Sequence, residues 1–476
     1  MKQLFFAAIT LLACVPIMAA PKLEQRNIGK PSFSFSSDRT NRDVIVHVVP
    51  WFPPNTGNRV ADSTDPSKNH WTLAADETDE TRRIERHLLR MQQAGIDVVA
   101  LDVMVRNGWK KGHAPELAIW HGGQTKKWLD AMKRVAPEMR FCLQIDRAGG
   151  LPPSVEVWAP AIKALEETYA KHPNYYRING KPVLLSFFLN ERTPDQVLES
   201  IRKESNSDFF FVGNIVENPE KELGPFTRSV INLPRMQQAV RIFDAIDLCP
   251  LGAHKSWLEN SCEQLIPLLR KENKPLFLGV GTGYYRRGTA FIEPAWNYMH
   301  TLWMIAMQEQ ADHVIIWTWN DVDEDHDIFP STLKQDAVLD LMSLYIQWYK
   351  TGTYPELTSD RIFLSWPVCD GGRRTVGGGE HPTWPNMNYF AWMTELAELE
   401  IPGIGKVSLQ EGLNVGQIGK CSPGLPKEFL LRHGNRIVAQ GSVGPAMVHS
   451  TEEQPENMKY YWRELVLDEK TASKQK

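Results

Sequence analysis

The feature that most limits the fold is an alternation of short apolar, β-branched runs with longer runs of helical periodicity. Such alternation signals parallel strands joined by crossover helices. Strand-like runs occur at Val44–Phe52, Asp97–Val105, Arg140–Asp146, Pro182–Leu189, Phe209–Ile215, Ala245–Leu251, Pro275–Val280 and Val314–Trp319. Helical patterns occupy Thr78–Gln93, Thr125–Val135, Val155–Lys171, Pro194–Lys203, Trp257–Lys271, Pro294–Gln310 and Ser331–Lys350. Strand-first units repeated over about three hundred residues predict a closed (β/α)8 TIM barrel rather than an open doubly wound sheet. No Gly-x-Gly-x-x-Gly follows the first strand, and Gly281-Thr282-Gly283 is too short and too late for a dinucleotide loop.

The flanks are different in character. Lys2 precedes the apolar run Leu4–Leu12, and Met18, Ala19 and Ala20 offer small cleavage positions, so residues 1–20 are expected to be a secretory signal. Leu11-Leu12-Ala13-Cys14 offers an alternative, a lipidated Cys14 on an outer-membrane lipoprotein. Residues 21–42 read as a polar linker and 43–352 as the barrel. Residues 353–468 read as a C-terminal β-sandwich-like domain, with 469–476 as a tail. No other stretch is apolar enough to span a bilayer. A net charge of −4 with no basic cluster argues against nucleic acid as a partner. The compartment permits disulfides, and Cys249–Cys262 and Cys369–Cys421 are the expected pairs, with Cys142 left free in a core strand.

The last barrel strand ends abruptly in acid: after Trp317 and Trp319 come Asp321, Asp323, Glu324, Asp325 and Asp327 around His326. Barrel enzymes place their chemistry at the C-terminal ends of the strands. Carboxylates clustered there are costly unless paired, solvated or used. The alternating acids resemble a calcium loop, but His326 and Thr332 stand where that loop needs Gly and Glu, so no metal is expected. No Cys-x-x-Cys or His-x-x-x-His argues for zinc, and no cofactor is called for.

Three segments carry a family likeness. His172–Val183 (HPNYYRINGKPV) resembles the approach to the fourth strand in glycoside hydrolase family 71 and the related family 99. Trp319–Ile328 (WNDVDEDHDI) resembles the family 71 block, and Trp348–Arg361 (WYKTGTYPELTSDR) its exit from barrel to β-domain. The resemblance implies a barrel hydrolase cleaving α-linked glucan, α-1,3-glucan above all, with inversion. On the matching motif Glu324 is the general acid and Asp321 the base. Family 99 implies an α-mannan hydrolase instead, and a catalytically silent glycan-binding barrel is the reading from another class. The chain departs from family 71 where Asp323 replaces a Gly and Asp325 a Ser, and Asn214–Asn218 lacks the Trp-rich signature at the fifth strand.

Glycoside hydrolysis needs one carboxylic acid and one carboxylate flanking the bond. Crowding by Asp323 and Asp325 raises the pKa of the less solvated carboxyl, as a proton donor requires. Other strand ends offer Asp102, Asp146, Glu191 and Glu217 as sugar-hydroxyl ligands, with Asn320 and His326 beside the acids. Trp51, Trp71, Tyr284, Tyr285 and Trp319 are candidate stacking platforms, although core packing is the default for each. His47, inside the first strand, reads as a hydrogen-bonded barrel residue. The expected partner is thus a polysaccharide or oligosaccharide.

Overall fold

The computed structural model describes residues 23–35, 42–50, 79–106, 112–114, 118–119, 122–146, 154–187, 194–216, 233–249, 255–286, 290–292, 296–321, 326–331, 334–367, 374–376, 379–381, 386–421, 428–442, 460–465 and 467. The chain opens with β1 (Gln25–Gly29), then β2 (Val44–Val48), α1 (Glu80–Gln93), β3 (Val98–Met104), α2 (Gly122–Val135) and β4 (Arg140–Asp146). Next come α3 (Val155–Tyr169), the short β5 (Arg177–Ile178), β6 (Lys181–Phe187), α4 (Asp195–Ser205) and β7 (Phe210–Val216). They are followed by α5 (Leu233–Ile242), β8 (Ala245–Cys249), α6 (Lys255–Lys271) and β9 (Leu276–Val280). After the hairpin β10 (Tyr284–Arg286) and β11 (Ala290–Ile292) come α7 (Trp296–Gln308), β12 (His313–Ile316) and α8 (Ala337–Thr351).

Strands β2, β3, β4, β6, β7, β8, β9 and β12 form a closed parallel ring, as expected of a (β/α)8 barrel; β12 pairs with β9 on one side and β2 on the other. Their residues are buried on both faces, which accounts for the near-continuous apolar runs. The helices are amphipathic. In α1, Ile84, Leu88 and Met91 are buried, and the Asp79 carboxylate caps the first turn by accepting from the Thr81 and Arg82 amides. Helix α5 was not legible, because Pro234 and the scattered basic residues hide its short apolar stripe.

At the N-terminal end of the ring the lumen is closed by charge. Arg140 Nη2 donates to Asp43 Oδ1 at 2.5 Å and Tyr176 Oη donates to Asp43 Oδ2 at 2.8 Å. His313 Nδ1 lies 3.4 Å from Tyr176 Oη. The Arg140 partner outweighs burial and holds Asp43 below the usual carboxylate range.

The C-terminal part adds antiparallel sheets. Its strands are β13 (Arg361–Pro367), β14 (Arg374–Val376), β15 (Gly379–His381), β16 (Asn386–Met393), β17 (Ala397–Ile401) and β18 (Gly405–Leu409). They continue as β19 (Gly412–Lys420), β20 (Glu428–His433), β21 (Arg436–Ser442) and β22 (Tyr460–Glu464). One sheet has the order β1-β19-β16-β13-β22 and another β18-β17-β20-β21. In the first sheet Leu364, Tyr389 and Tyr461 pack in a cluster with Leu399, Ile401 and Leu431 of the second. Their neighbours Phe363, Phe390, Trp392 and Trp462 point the other way and join the barrel core. Trp392 lies 5.3 Å from Tyr345 and 5.6 Å from Trp348, both on α8. Burial on both faces explains why β16 shows no alternation and escaped the sequence reading.

Two expectations need correction. Residues 21–42, read as a linker, contain β1, an edge strand pairing Gln25 with Gly416 of β19. The chain then runs along α8, where Trp348 Nε1 donates to the Pro31 carbonyl at 3.1 Å and the Phe33 amide to the Gly352 carbonyl at 2.8 Å. Ile28, Phe33 and Phe35 supply the apolar contacts. The Cys249–Cys262 disulfide is not formed: Cys262 is a buried thiol on α6, pushed up to about 12 by burial. Cys142 is a buried thiol in β4. Cys369 lies outside the described residues, as do Cys14, the signal segment and the tail.

Trp392 ties sheet to barrel, so Trp392→Ala is expected to cost about 3–5 kcal/mol. Thermal unfolding should remain a single transition at lower temperature. Two well-separated transitions would show that sheet and barrel are not energetically coupled.

Candidate functional site

Which strand positions face the lumen follows from register. A Cβ on Gly213 would fall 2.2 Å from the Phe243 ring at the end of α5, so position 213 faces the helices and Asn214 faces inward. Parallel partners share a face, and the ladder pairs Asn214 with Asp247, Asp247 with Phe277 and Phe277 with His313. On the other side it pairs His47 with Ala100, Asp102 with Gln144 and Gln144 with Leu185. His47, Asp102, Gln144, Asn214 and Asp247 therefore share the inner face of the barrel.

These residues are at least nine-tenths buried. His47 Nε2 lies 3.3 Å from Asp102 Oδ2, and Asn214 Nδ2 donates to Asp247 Oδ2 at 2.5 Å. Asp102 Oδ1, both ends of the Gln144 amide, Asn214 Oδ1, Asp247 Oδ1 and Thr282 Oγ1 find no hydrogen-bond partner among the described residues. Buried polar atoms left unpaired cost about 1–3 kcal/mol each, so a polar cluster on the inner face is expensive to keep.

Burial decides the charge states. It lowers His47 to about 3, against the pull of Asp321 and Asp146 and with the help of His326. It raises Asp102 well above the ordinary carboxyl range, and the Asp321 charge raises it further, with a hydrogen bond from the Val103 amide opposing. The 3.3 Å contact between them thus joins a neutral imidazole to a neutral acid rather than an ion pair. Asp247 is raised to about 7 by burial, with the Asn214 hydrogen bond opposing.

The segment after β12 closes over this face. The Trp317 amide donates to the Val280 carbonyl and the Trp319 amide to the His47 carbonyl, so both neighbouring strands grip it. The Trp317–Thr318 peptide is cis, and the Trp317 and His47 rings lie 4.8 Å apart. The Asp321 amide donates to Thr318 Oγ1 at 2.9 Å, and its carboxylate lies 3.3 Å from His326 Nε2 with 16% of the side chain exposed. Tyr284 meets the His326 ring edge-on at 5.3 Å. Asp102, Asp321, His326, Tyr284 and His47 are thus brought together, and Asp146 lies close enough for its charge to act on His47.

Two named ligands are corrected. Asn320 is committed to the backbone of Val49, accepting from its amide and donating to its carbonyl, both at 2.9 Å. Trp319 is fully buried, with Nε1 donating to His87 Nδ1 at 2.7 Å on α1, and is a wall between barrel and helix rather than a sugar platform. Asp327 is paired with Lys334 at 2.9 Å and leaves the acidic cluster. Glu324, Trp51, Trp71, Glu191 and Glu217 lie outside the described residues, as does the Tyr285 side chain. Gln144, Asn214, Asp247 and Thr282 were not singled out in sequence. Their signal is a lone polar residue at a fixed parity inside an apolar strand, as in AIDLC and FFVGNIV.

No protein-family model matches this sequence, and no curated protein matches it. Among solved structures, the chain is similar to the family 99 endo-α-mannosidase from Bacteroides thetaiotaomicron in complex with bis-tris-propane. The two share 16% identity with a TM-score of 0.50, over 66% of this chain and 98% of that one. A second structure of that organism's family 99 endo-α-mannosidase gives 15% identity and a TM-score of 0.48, over 66% and 99%. At such identity the likeness shows the barrel fold.

The Asp247 carboxyl holds a proton in the fold that the unfolded chain, near 3.8, releases. Its contribution to stability is therefore lost as pH rises from about 4 through about 7. Asp247→Asn removes that loss. Its gain over wild type should grow across the window and then level off, on the order of 2–4 kcal/mol. Urea unfolding along a pH series checks this; a difference independent of pH would contradict it.

Proposed function

We propose that the chain is a glycoside hydrolase acting on α-linked glycans at the C-terminal mouth of the barrel. The observation that carries this reading is Asp321, a partly exposed carboxyl 3.3 Å from His326 and near enough to the buried Asp102 for its charge to act there. Asp321 serves as the base that activates water and Glu324, three residues on, as the acid that protonates the departing oxygen. Inversion of the anomeric centre follows from the family 71 likeness of Trp319–Ile328. Tyr284, flanking His326, offers the sugar an edge, and Asp146 a hydroxyl ligand.

For the substrate we infer α-1,3-glucan, on the strength of the same segment. An α-mannan is favoured instead by the barrel likeness to the family 99 endo-α-mannosidase. An apolar N-terminal run fits secretion, with Cys14 as a lipid anchor in the alternative. Among the described residues no helix is long and apolar enough to cross a membrane.

Product analysis on α-1,3-glucan, α-1,4-glucan and yeast mannan tests the proposal. Release of oligosaccharides from one of them is expected, with Asp321→Asn and Glu324→Gln each lowering kcat by about a thousandfold while sugar binding persists. Binding without turnover by the wild-type protein would show a silent lectin-like barrel. Neither binding nor turnover on any glycan would sink the reading.

A further inference from the structure

We propose that Asp102 serves the bound glycan as a neutral carboxylic acid, with Oδ1 donating a hydrogen bond to a sugar hydroxyl while His47 steadies Oδ2. This rests on the hydrolase reading and adds to it a group whose work depends on keeping its proton.

The geometry carries the inference. Asp102 sits on the inner face of β3 with its Oδ2 3.3 Å from His47 Nε2. No lysine or arginine among the described residues pairs with it. The titratable groups beside it are His47 from β2 and Asp321 from the segment after β12, and Asp146 from β4 and His326 act in turn on His47. His47 is held neutral by burial, so it supplies no countercharge. An ionised Asp102 would be a buried charge with a second carboxylate as its neighbour, the arrangement that drives one of two acids to keep its proton.

The same geometry explains why Asp102 Oδ1 is buried yet without a hydrogen-bond partner. In the neutral acid Oδ1 carries the proton, and Oδ2 faces His47 Nε2 at 3.3 Å. That leaves a donor on the inner face, beside the Gln144 amide of the paired strand, both ends of which also lack a partner. A hydroxyl group both donates and accepts. Asp321 supplies acceptor oxygens, neutral Asp102 a donor and Gln144 one of each, a set that matches the hydroxyls of a pyranose ring. Two ionised carboxylates would offer acceptors only.

The test compares conservative with truncating substitution. Asn keeps an N–H donor and the shape of the side chain, whereas Ala loses both. Asp102→Ala is expected to raise KM by about thirtyfold with a smaller effect on kcat. Asp102→Asn should recover all but about threefold of that loss, and should flatten the alkaline rise in KM that appears in wild type as the acid deprotonates. Asp102→Asn as damaging as Asp102→Ala would overturn the proposal, because it would show that the charge is what matters.

Isotope-edited infrared spectroscopy reads the group with no substrate present. The wild-type protein should show a protonated-carboxyl stretch at neutral pH that disappears in Asp102→Asn. Its absence would overturn the proposal whether or not any glycan is cleaved. Its presence in a protein that turns over no glycan would instead place the failure with the hydrolase reading.

Discussion

The structure depends on the parallel pairing of β12 with both β9 and β2. This four-residue strand is the last to join, and without it the ring is an open sheet with two bare edges. The grip continues past the strand through the Trp317 and Trp319 amides, which fix the position of Asp321 relative to His47 and Asp102. The contacts that close the ring therefore also position the site. Asn320 adds to it by imitating a backbone neighbour for Val49.

The two ends of the lumen answer the cost of buried polarity in opposite ways. At the N-terminal end Asp43 meets Arg140 and Tyr176 in short, charge-assisted bonds, and the carboxylate stays ionised. Further along the lumen Asp102 and Asp247 have no cation beside them among the described residues, and burial drives both toward the neutral form. The paired end satisfies its charges and stabilises the fold. The unpaired end keeps donors and acceptors uncommitted, at a cost that only a ligand or a reaction would justify.

Much of this was legible in the sequence for physical reasons. Buried parallel strands must be continuously apolar, so Arg140–Asp146 was read to the residue and β3, β8 and β9 to within two or three. The acidic break after Ile316 betrayed the mouth, because a buried strand cannot run into carboxylates without a change of environment. The failures have equally definite causes. Strand β16 is buried on both faces within an antiparallel sheet, so it lacks the alternation that marks such strands. Strand β1 is short and mostly exposed, and its partner β19 lies some four hundred residues away in the chain, a separation that local pattern cannot bridge. Trp319 and Asn320 look like ligands by position but are taken up by His87 and Val49, contacts that only the folded ring creates. Asn214 and Asp247 were overlooked because a single polar residue in an apolar strand reads as noise until parity assigns it to the lumen.

The most direct test of the central claim, that a glycan is held and cut at the C-terminal mouth, is a crystal structure of the Asp321→Asn protein soaked with α-linked oligosaccharides. The account predicts a sugar ring over Asp102, with His326 and Tyr284 at its edge and a glycosidic oxygen within reach of Glu324. Sugar bound solely on the C-terminal sheets, with the barrel mouth closed by its own side chains, would contradict it.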